Sequence, residues 1–400
     1  MRSLLLAPSH YTLSYHVGSE PAVATNLVVR IADALSDTKV IAIAGYSLLS
    51  PGTRLPKNLV IVPLYNGKPS FGDVRKLRFY FDLYLAARHL VGKVDVVHHV
   101  LPFGYRETFN LLYRVAKSHG SPFIIGPVQS PQLVTGNDEY VGEKFNARKP
   151  LSEKLRFHRV AAKPVLERLF RATLESAEVV IAATRFAKNL YEEYVDSDRI
   201  VVIPFGIEAR DIPPKPNYET NRLRIVYVGQ LTLRKGILLA LNALRGVLRY
   251  FDNVEFHVYG DGPLRAALLR FSEKYGILSK VYLHGFVERR RLLSKLREHD
   301  IYVHTSFSES FGLSLVESMA AGLPVVAQNI PNVNEIVVHG STGFLFPIGD
   351  LEALREYVEK LLVDSKLRAK LGSAARRRVL ETYDWSVVTR RYIEIYTRFA

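Results

Sequence analysis

The sequence predicts an α/β protein of two doubly wound parallel-sheet domains. Three observations carry this: strand-like and helix-like segments alternate from end to end, a proline-rich stretch interrupts the alternation near the middle, and the length exceeds what one core supports. The chain has 400 residues, of which 48% are hydrophobic and 23% charged. A single hydrophobic core rarely grows beyond about 250–300 residues, so two domains are expected, each with a sizeable core. Alternation of strands and helices implies a parallel sheet covered on both faces.

In the first half, residues 3–7, 39–44, 59–63, 94–99, 122–126, 179–183 and 200–204 read as strands, being short and mostly apolar runs. Helical spacing of apolar residues marks 22–35 and 75–90 between them. Segment 1–8 begins like a signal peptide, but its apolar run ends within about five residues, too short for the apolar region of such a leader, and reads as the first strand. No stretch approaches the ~20 apolar residues of a transmembrane helix. The segment Asp211-Ile212-Pro213-Pro214-Lys215-Pro216-Asn217 is placed as the interdomain linker. This gives an N-terminal domain over 1–210, joined by the helix of 383–400, and a C-terminal domain over 211–382. In the second half the strands 223–229, 254–260, 281–285, 301–304 and 325–327 lead to helices near 351–362 and 364–380.

There are no cysteines, which excludes disulfides, zinc-thiolate sites and cysteine nucleophiles and is compatible with a reducing compartment. The formal charge of +15 favours an anionic partner or surface. It concentrates in 144–171, where nine Lys and Arg stand against Glu153 and Glu167 with apolar residues interleaved. That basic amphipathic stretch fits an anionic membrane surface, nucleic acid, or a solvated helix face. A second cluster, Arg289-Arg290-Arg291 with Lys295 and Arg297, opens a helix after Gly285-Phe286-Val287.

Chemistry concentrates at two strand ends in the second half. Strand 225–228 runs into Gly229-Gln230-Leu231-Thr232-Leu233-Arg234-Lys235-Gly236, which sets two cations and two glycines before a helix. Open parallel sheets bind ligands outside such strand ends, and a departing diphosphate needs positive charge there. Strand 301–304 ends in a polar loop carrying Glu309, and a helix from Gly312 carries Glu317. The unpaired N–H groups of that helix start favour a phosphate or hydroxyls, and each carboxylate can accept two hydroxyl hydrogen bonds. The spacing alone fits equally two ordinary solvated glutamates flanking a helix.

Residues 306–327, SFSESFGLSLVESMAAGLPVVA, resemble the signature of the retaining nucleotide-sugar glycosyltransferases of family 4 (glycosyl transferases group 1), in which two glutamates are separated by seven residues. Here the seven are 310–316. Segment 229–236 resembles the same family, with Lys235 at the expected lysine and Gln230 where an arginine is usual, a gap Arg234 is placed to fill. Val258-Tyr259-Gly260-Asp261-Gly262-Pro263 and the nucleobase-packing segment Leu283-His284-Gly285-Phe286-Val287 follow in the family's order.

The resemblance implies the GT-B fold, two facing Rossmann-like domains with a C-terminal crossover helix anchored by Trp385, and a hexosyltransferase that works with retention of configuration, without metal or cofactor. It implies Glu309, Lys235 and Arg234 as catalytic residues and places the donor at Gly18, Gly229, Arg234, Lys235, Gly260, Val287, Glu309, Ser310, Phe311, Gly312, Leu313 and Glu317. Glu317 would take the ribose hydroxyls. His98, His99 and Gln129 stand on the acceptor side, Gln129 where many members carry a histidine; the two histidines fit equally a hydrogen-bonded structural role. Asp196-Ser197-Asp198 precedes Arg199 in an ordinary helix-to-strand turn and is assigned no metal. The implied partners are a nucleotide-sugar donor (UDP or GDP), a glycan or lipid-linked glycan acceptor, and an anionic membrane surface met through 144–171, with no nucleic acid. The implied location is cytoplasmic, peripherally attached to the membrane. Alternatives are a sugar-nucleotide epimerase of the same fold, and a basic RNA- or lipid-binding protein with a degenerate nucleotide pocket.

Overall fold

The parallel β-strands of the computed structural model form two large sheets, one in each of two compact units. The structure describes residues 1–8, 12–13, 19–49, 53–66, 73–90, 94–101, 110–130 and 158–399. The first unit takes the described residues up to Gly206 and from Trp385 onward; the second takes Ile207–Asp384.

The first unit holds β1 (Ser3–Pro8), β2 (Thr12–Leu13), β3 (Lys39–Ala44), β4 (Tyr46–Ser47), β5 (Leu59–Pro63), β6 (Val96–Val100), β7 (Phe123–Val128), β8 (Val179–Ala182) and β9 (Ile200–Val202). Seven of these make one parallel sheet in the order β5-β3-β1-β6-β7-β8-β9, while β2 and β4 pair separately. Leu4, Leu5, Leu6 and Ala7 of β1 are all buried, as both faces of a central strand in a helix-covered sheet must be. One core layer brings Leu5, Ile43, Val97, Ile125 and Val180 against Phe79 and Leu83 of the helix Asp73–Leu90.

The terminal helix Trp385–Thr397 belongs to this unit. Its Trp385 ring lies flush on Gly206, where a Cβ would come within 2.4 Å of the indole. Tyr392 and Tyr396 are fully buried, and Arg391 donates to the Val202 carbonyl at 2.6 Å. The tryptophan therefore fastens the helix by packing, and the arginine fixes its register.

The second unit holds β10 (Leu223–Val228), β11 (Val254–Tyr259), β12 (Val281–Gly285), β13 (Ile301–His304), β14 (Val325–Gln328) and β15 (Gly343–Phe346), all in one parallel sheet ordered β12-β11-β10-β13-β14-β15. Ile225, Phe256, Ile301 and Val326 pack under Leu241, Leu244 and Val247 of the helix Ile237–Tyr250. The chain order reverses between β10 and β13, which are direct neighbours. In an open α/β sheet such a reversal leaves a crevice at the carboxyl ends of the two strands. Segment 211–217 runs along this unit: Lys215 N–H donates to Ala321 O at 2.8 Å, and its ammonium pairs with buried Asp300 at 2.9 Å.

Candidate functional site

Two loops meet at that reversal. The chain leaving β10 turns through Gly229 and reaches Arg234 and Lys235; the chain leaving β13 carries Glu309. Close approach of backbones fixes the first loop. Gly260, at φ +132°, lies so near that a Cβ there would sit 1.9 Å from the Gly229 carbonyl oxygen. Gly236, at φ +65°, caps the helix Ile237–Tyr250, and a Cβ there would come 1.9 Å from the Thr305 carbonyl oxygen. Gly236→Ala is therefore expected to cost at least ~2 kcal/mol, from a left-handed residue with a backbone clash, seen as a lower urea midpoint.

Hydrogen bonds join the two loops. Phe307 N–H donates to Arg234 O at 2.9 Å, and the Arg234 guanidinium donates to Ser308 O at 2.8 Å. The Lys235 ammonium lies 2.6 Å from Glu309 Oε1, and His304 Nε2 approaches the same oxygen at 3.4 Å. Asn332 donates to the Glu309 backbone carbonyl at 2.7 Å. Glu309 is only 7% exposed. Burial alone would raise its carboxyl, but the charge of Lys235, with His304 beside the same oxygen, outweighs that and holds it well below the usual carboxylate range.

A pH dependence follows. A carboxyl whose folded pKa is depressed adds stability above its unfolded pKa and loses it as pH falls toward the folded value. Wild type should therefore lose stability relative to Glu309→Gln as pH drops below about 4.3, the ordinary glutamate value. Parallel denaturant titrations of the two proteins measure it, and a constant difference across that range would contradict the ion pair.

Beyond Glu309 the chain turns at Gly312, φ +107°, into the helix Leu313–Ala320. Gly312 brings no side chain to cap the helix, so no side chain of the turn accepts from its first N–H groups. Ser310 and Leu313 are partly exposed, whereas Phe311 is buried edge-on against Tyr383, with ring centroids 6.0 Å apart. Phe311 thus anchors the turn. Glu317, one turn into the helix, is buried and ion-paired with Arg289. Burial pushes its carboxyl up, and Arg289 offsets only part of that. Nearby, Gly260 N–H donates to Gly285 O at 2.8 Å, and Val287, partly exposed, follows that contact.

Gly229, Gly260, Arg234, Lys235, Glu309, Ser310, Phe311, Gly312, Leu313, Glu317 and Val287 thus all lie at the carboxyl edge of one sheet. Gly18 and residues 144–157 of the basic stretch lie outside the described residues. The two histidines of the first unit are pinned into its core. His98 is fully buried, with Nδ1 2.6 Å from the Tyr396 hydroxyl and Nε2 3.0 Å from Gly126 O. His99 is fully buried as well, bonded to Asn110 and edge-on to Tyr80. Burial pushes both down to about 3, so they stay neutral near pH 7. Both are thus held by hydrogen bonds within the core. Gln129 is partly exposed just beyond β7, and its carbonyl lies 3.5 Å from the Tyr191 hydroxyl.

Three site residues escape a reading of motifs: His304, Asn332 and Arg289. His304 ends a buried strand five residues before Glu309, a polar break in an apolar run that could have singled it out. Asn332 and Arg289 reach the site only through tertiary contacts.

Residues 208–378 match the family model described as glycosyl transferases group 1. They form a group 1 glycosyl transferase domain. Among curated proteins the chain is 32% identical over 225 residues to the phosphatidyl-myo-inositol mannosyltransferase of Mycobacterium leprae, covering 55% of this chain and 59% of that one. It is 30% identical over 198 residues to the glycogen synthase of Mycobacterium tuberculosis, covering 49% and 48%. To the GPI3 subunit of the phosphatidylinositol N-acetylglucosaminyltransferase of Saccharomyces cerevisiae it is 28% identical over 244 residues, covering 59% and 54%. The match thus spans about half to three-fifths of these relatives' length.

Two solved structures align over nearly the whole chain. Sucrose-phosphate synthase from Thermosynechococcus elongatus gives a TM-score of 0.72 at 19% identity, covering 100% of this chain and 99% of that one. HepE of Anabaena, solved in complex with UDP and glucose, gives 0.66 at 17%, covering 98% and 99%. At this identity they show the fold: GT-B, with two Rossmann-like doubly wound domains. The group 1 domain coincides with the second unit and contains the Lys235–Glu309 pair, Glu317 and the Gly312 turn.

Proposed function

We propose that the protein is a retaining, metal-independent hexosyltransferase that moves a hexose from a nucleoside diphosphate sugar, UDP- or GDP-linked, to an acceptor hydroxyl of a glycan or lipid-linked glycan. The observation that carries this is the Lys235–Glu309 pair at 2.6 Å, set at the sheet's reversal beside an uncapped helix start. A cation for the diphosphate and a carboxylate for the sugar hydroxyls stand side by side where a ligand of that fold sits. The Anabaena neighbour crystallised with UDP and glucose supports the donor class, and two of the relatives are by name transferases acting on phosphatidylinositol lipids, which supports a lipid-linked acceptor.

In this reading 211–382 binds the donor, and 1–210 with the terminal helix 383–400 serves the acceptor. Glu309 binds sugar hydroxyls beside the anomeric carbon. Backbone N–H groups of Phe311, Gly312 and Leu313 meet sugar and phosphate, and Glu317 takes the ribose. The anomeric carbon–oxygen bond to the diphosphate breaks as the bond to the acceptor oxygen forms on the same face, and the acceptor proton passes to the departing diphosphate. Arg234 and Lys235 neutralise the charge that grows there, which replaces a metal ion and lowers the barrier. No helix of the described residues is long and apolar enough to cross a membrane. An anionic membrane on the cytoplasmic face is proposed to be met through 144–171.

The test supplies UDP- and GDP-hexoses with lipid-linked acceptors in excess EDTA and follows the product's anomeric proton by NMR. Retention of the donor's configuration, undiminished by EDTA, is expected. Inversion, abolition by EDTA, or conversion of the donor with no acceptor present would overturn the reading.

A further inference from the structure

Arg289 opens the helix Arg289–Leu296, whose start is capped by Glu288: the Glu288 carboxylate accepts from the backbone N–H groups of Arg290 and Arg291. That cap fixes the helix end and with it the direction of the three consecutive arginines. Arg290 and Arg291 point to solvent. Arg289 instead turns toward the helix Leu313–Ala320 and pairs, through one guanidinium nitrogen, with Oε1 of Glu317. The pairing is asymmetric in burial: the Glu317 side chain is 9% exposed and that of Arg289 39%. No other hydrogen bond to the Glu317 carboxylate is formed among the described residues.

We propose that Arg289 is a positioning residue for the donor nucleotide: by gripping Oε1 of Glu317 it holds that carboxylate turned so that Oε2 meets the ribose hydroxyls. The inference rests on the reading of Glu317 as the ribose contact. A buried carboxyl without a partner tends to protonate, which turns one of its oxygens into a donor and weakens it as an acceptor for two hydroxyls. The side chain of Arg289 acts through Glu317 and touches no reacting atom. Its partial exposure lets it hold the charge without the full cost of a buried pair.

The test compares Arg289→Ala, Arg289→Lys and the neighbouring Arg290→Ala, each alone, together with Glu317→Gln and the double variant Arg289→Ala/Glu317→Gln. Steady-state kinetics with UDP- and GDP-hexoses as donors, and titrations of UDP and of GDP, are the readouts. Arg289→Ala is expected to raise the donor KM and the nucleotide Kd roughly tenfold with kcat little changed, the size of one charge-assisted hydrogen bond lost. Arg289→Lys should restore most of that, Arg290→Ala should match wild type, and the double variant should be no worse than Glu317→Gln alone, since the two residues act as one.

Additive losses in the double variant, or an unchanged Kd in Arg289→Ala, would overturn the inference while leaving the glycosyltransferase reading intact. If wild type binds no nucleoside diphosphate, the underlying reading fails instead. Circular dichroism of each variant separates loss of fold from loss of binding: an unfolded Arg289→Ala leaves the decision to the folded Arg289→Lys, whose wild-type Kd upholds the inference and whose Kd equal to that of Glu317→Gln overturns it.

Discussion

Lys235→Ala is expected to lower kcat by ~10²–10³-fold while changing the donor KM by no more than a few-fold, the pattern of an interaction that strengthens as charge develops. The structure argues for this in two steps. Lys235 is held by the turn at Gly236 and lies against Glu309 at 2.6 Å, so its ammonium is fixed before any ligand arrives. A fixed cation needs no reorganisation during the reaction, and the charge it meets is larger on the departing diphosphate than on the bound donor. Arg234, held on Ser308 O at 2.8 Å, remains in the variant and limits the loss. Removing Lys235 also leaves Glu309 buried beside His304 alone, at a cost of ~3–5 kcal/mol if nothing relaxes. Lys235→Ala/Glu309→Gln removes that charge as well, so melting curves of the two variants separate the stability loss from the catalytic one. A rise in donor KM with kcat intact would reverse the roles given to Lys235 and Glu317.

Glu317→Ala is expected to do the opposite. Its carboxylate sits one turn into the helix beyond the Gly312 turn, and in the proposed reading it meets the ribose and not the anomeric carbon. Losing hydrogen bonds from a charged acceptor costs ~1.5–3 kcal/mol. The donor KM should therefore rise roughly 10- to 100-fold, with kcat held within a few-fold of wild type. The variant also frees Arg289, which is half in solvent and can hydrate, so the fold should tolerate it better than Lys235→Ala. Kinetics at saturating and limiting donor distinguish the two variants directly.

Much of this site is legible in the sequence because its parts are local. A strand, a glycine turn, two cations and a helix start lie within residues 225–237, and a strand, a loop, two glutamates and a helix within 301–320; short-range periodicity and turn chemistry define both. The fold is legible for the same reason, since the buried strands are apolar runs bounded by turn residues. What escaped is either short or made by distance. Strand β15 opens with a glycine and covers only Gly343–Phe346, and β2 and β4 are two residues each, too brief for a pattern. His98 and His99 could be weighed from sequence as acceptor contacts or core residues, and the hydrogen-bond partner of His98, Tyr396, lies 298 positions away. Arg289 is one of three consecutive arginines, and only its helix's orientation tells it from the other two. Base and sugar identity stay out of reach because the groups expected to meet them, around Val287 and Phe311–Leu313, act largely through backbone and shape.

The most direct test of the central claim, that the reversal between β10 and β13 holds a nucleoside diphosphate, is a thermal-shift panel of UDP, GDP, ADP and CDP sugars on wild type and Glu317→Ala. A ligand that binds only the folded state stabilises it by about 2.7 kcal/mol at a hundredfold excess over its Kd. The account predicts that one nucleotide raises the melting temperature of wild type and that Glu317→Ala loses most of the shift; an equal shift in both proteins, or none with any of the four, would contradict it.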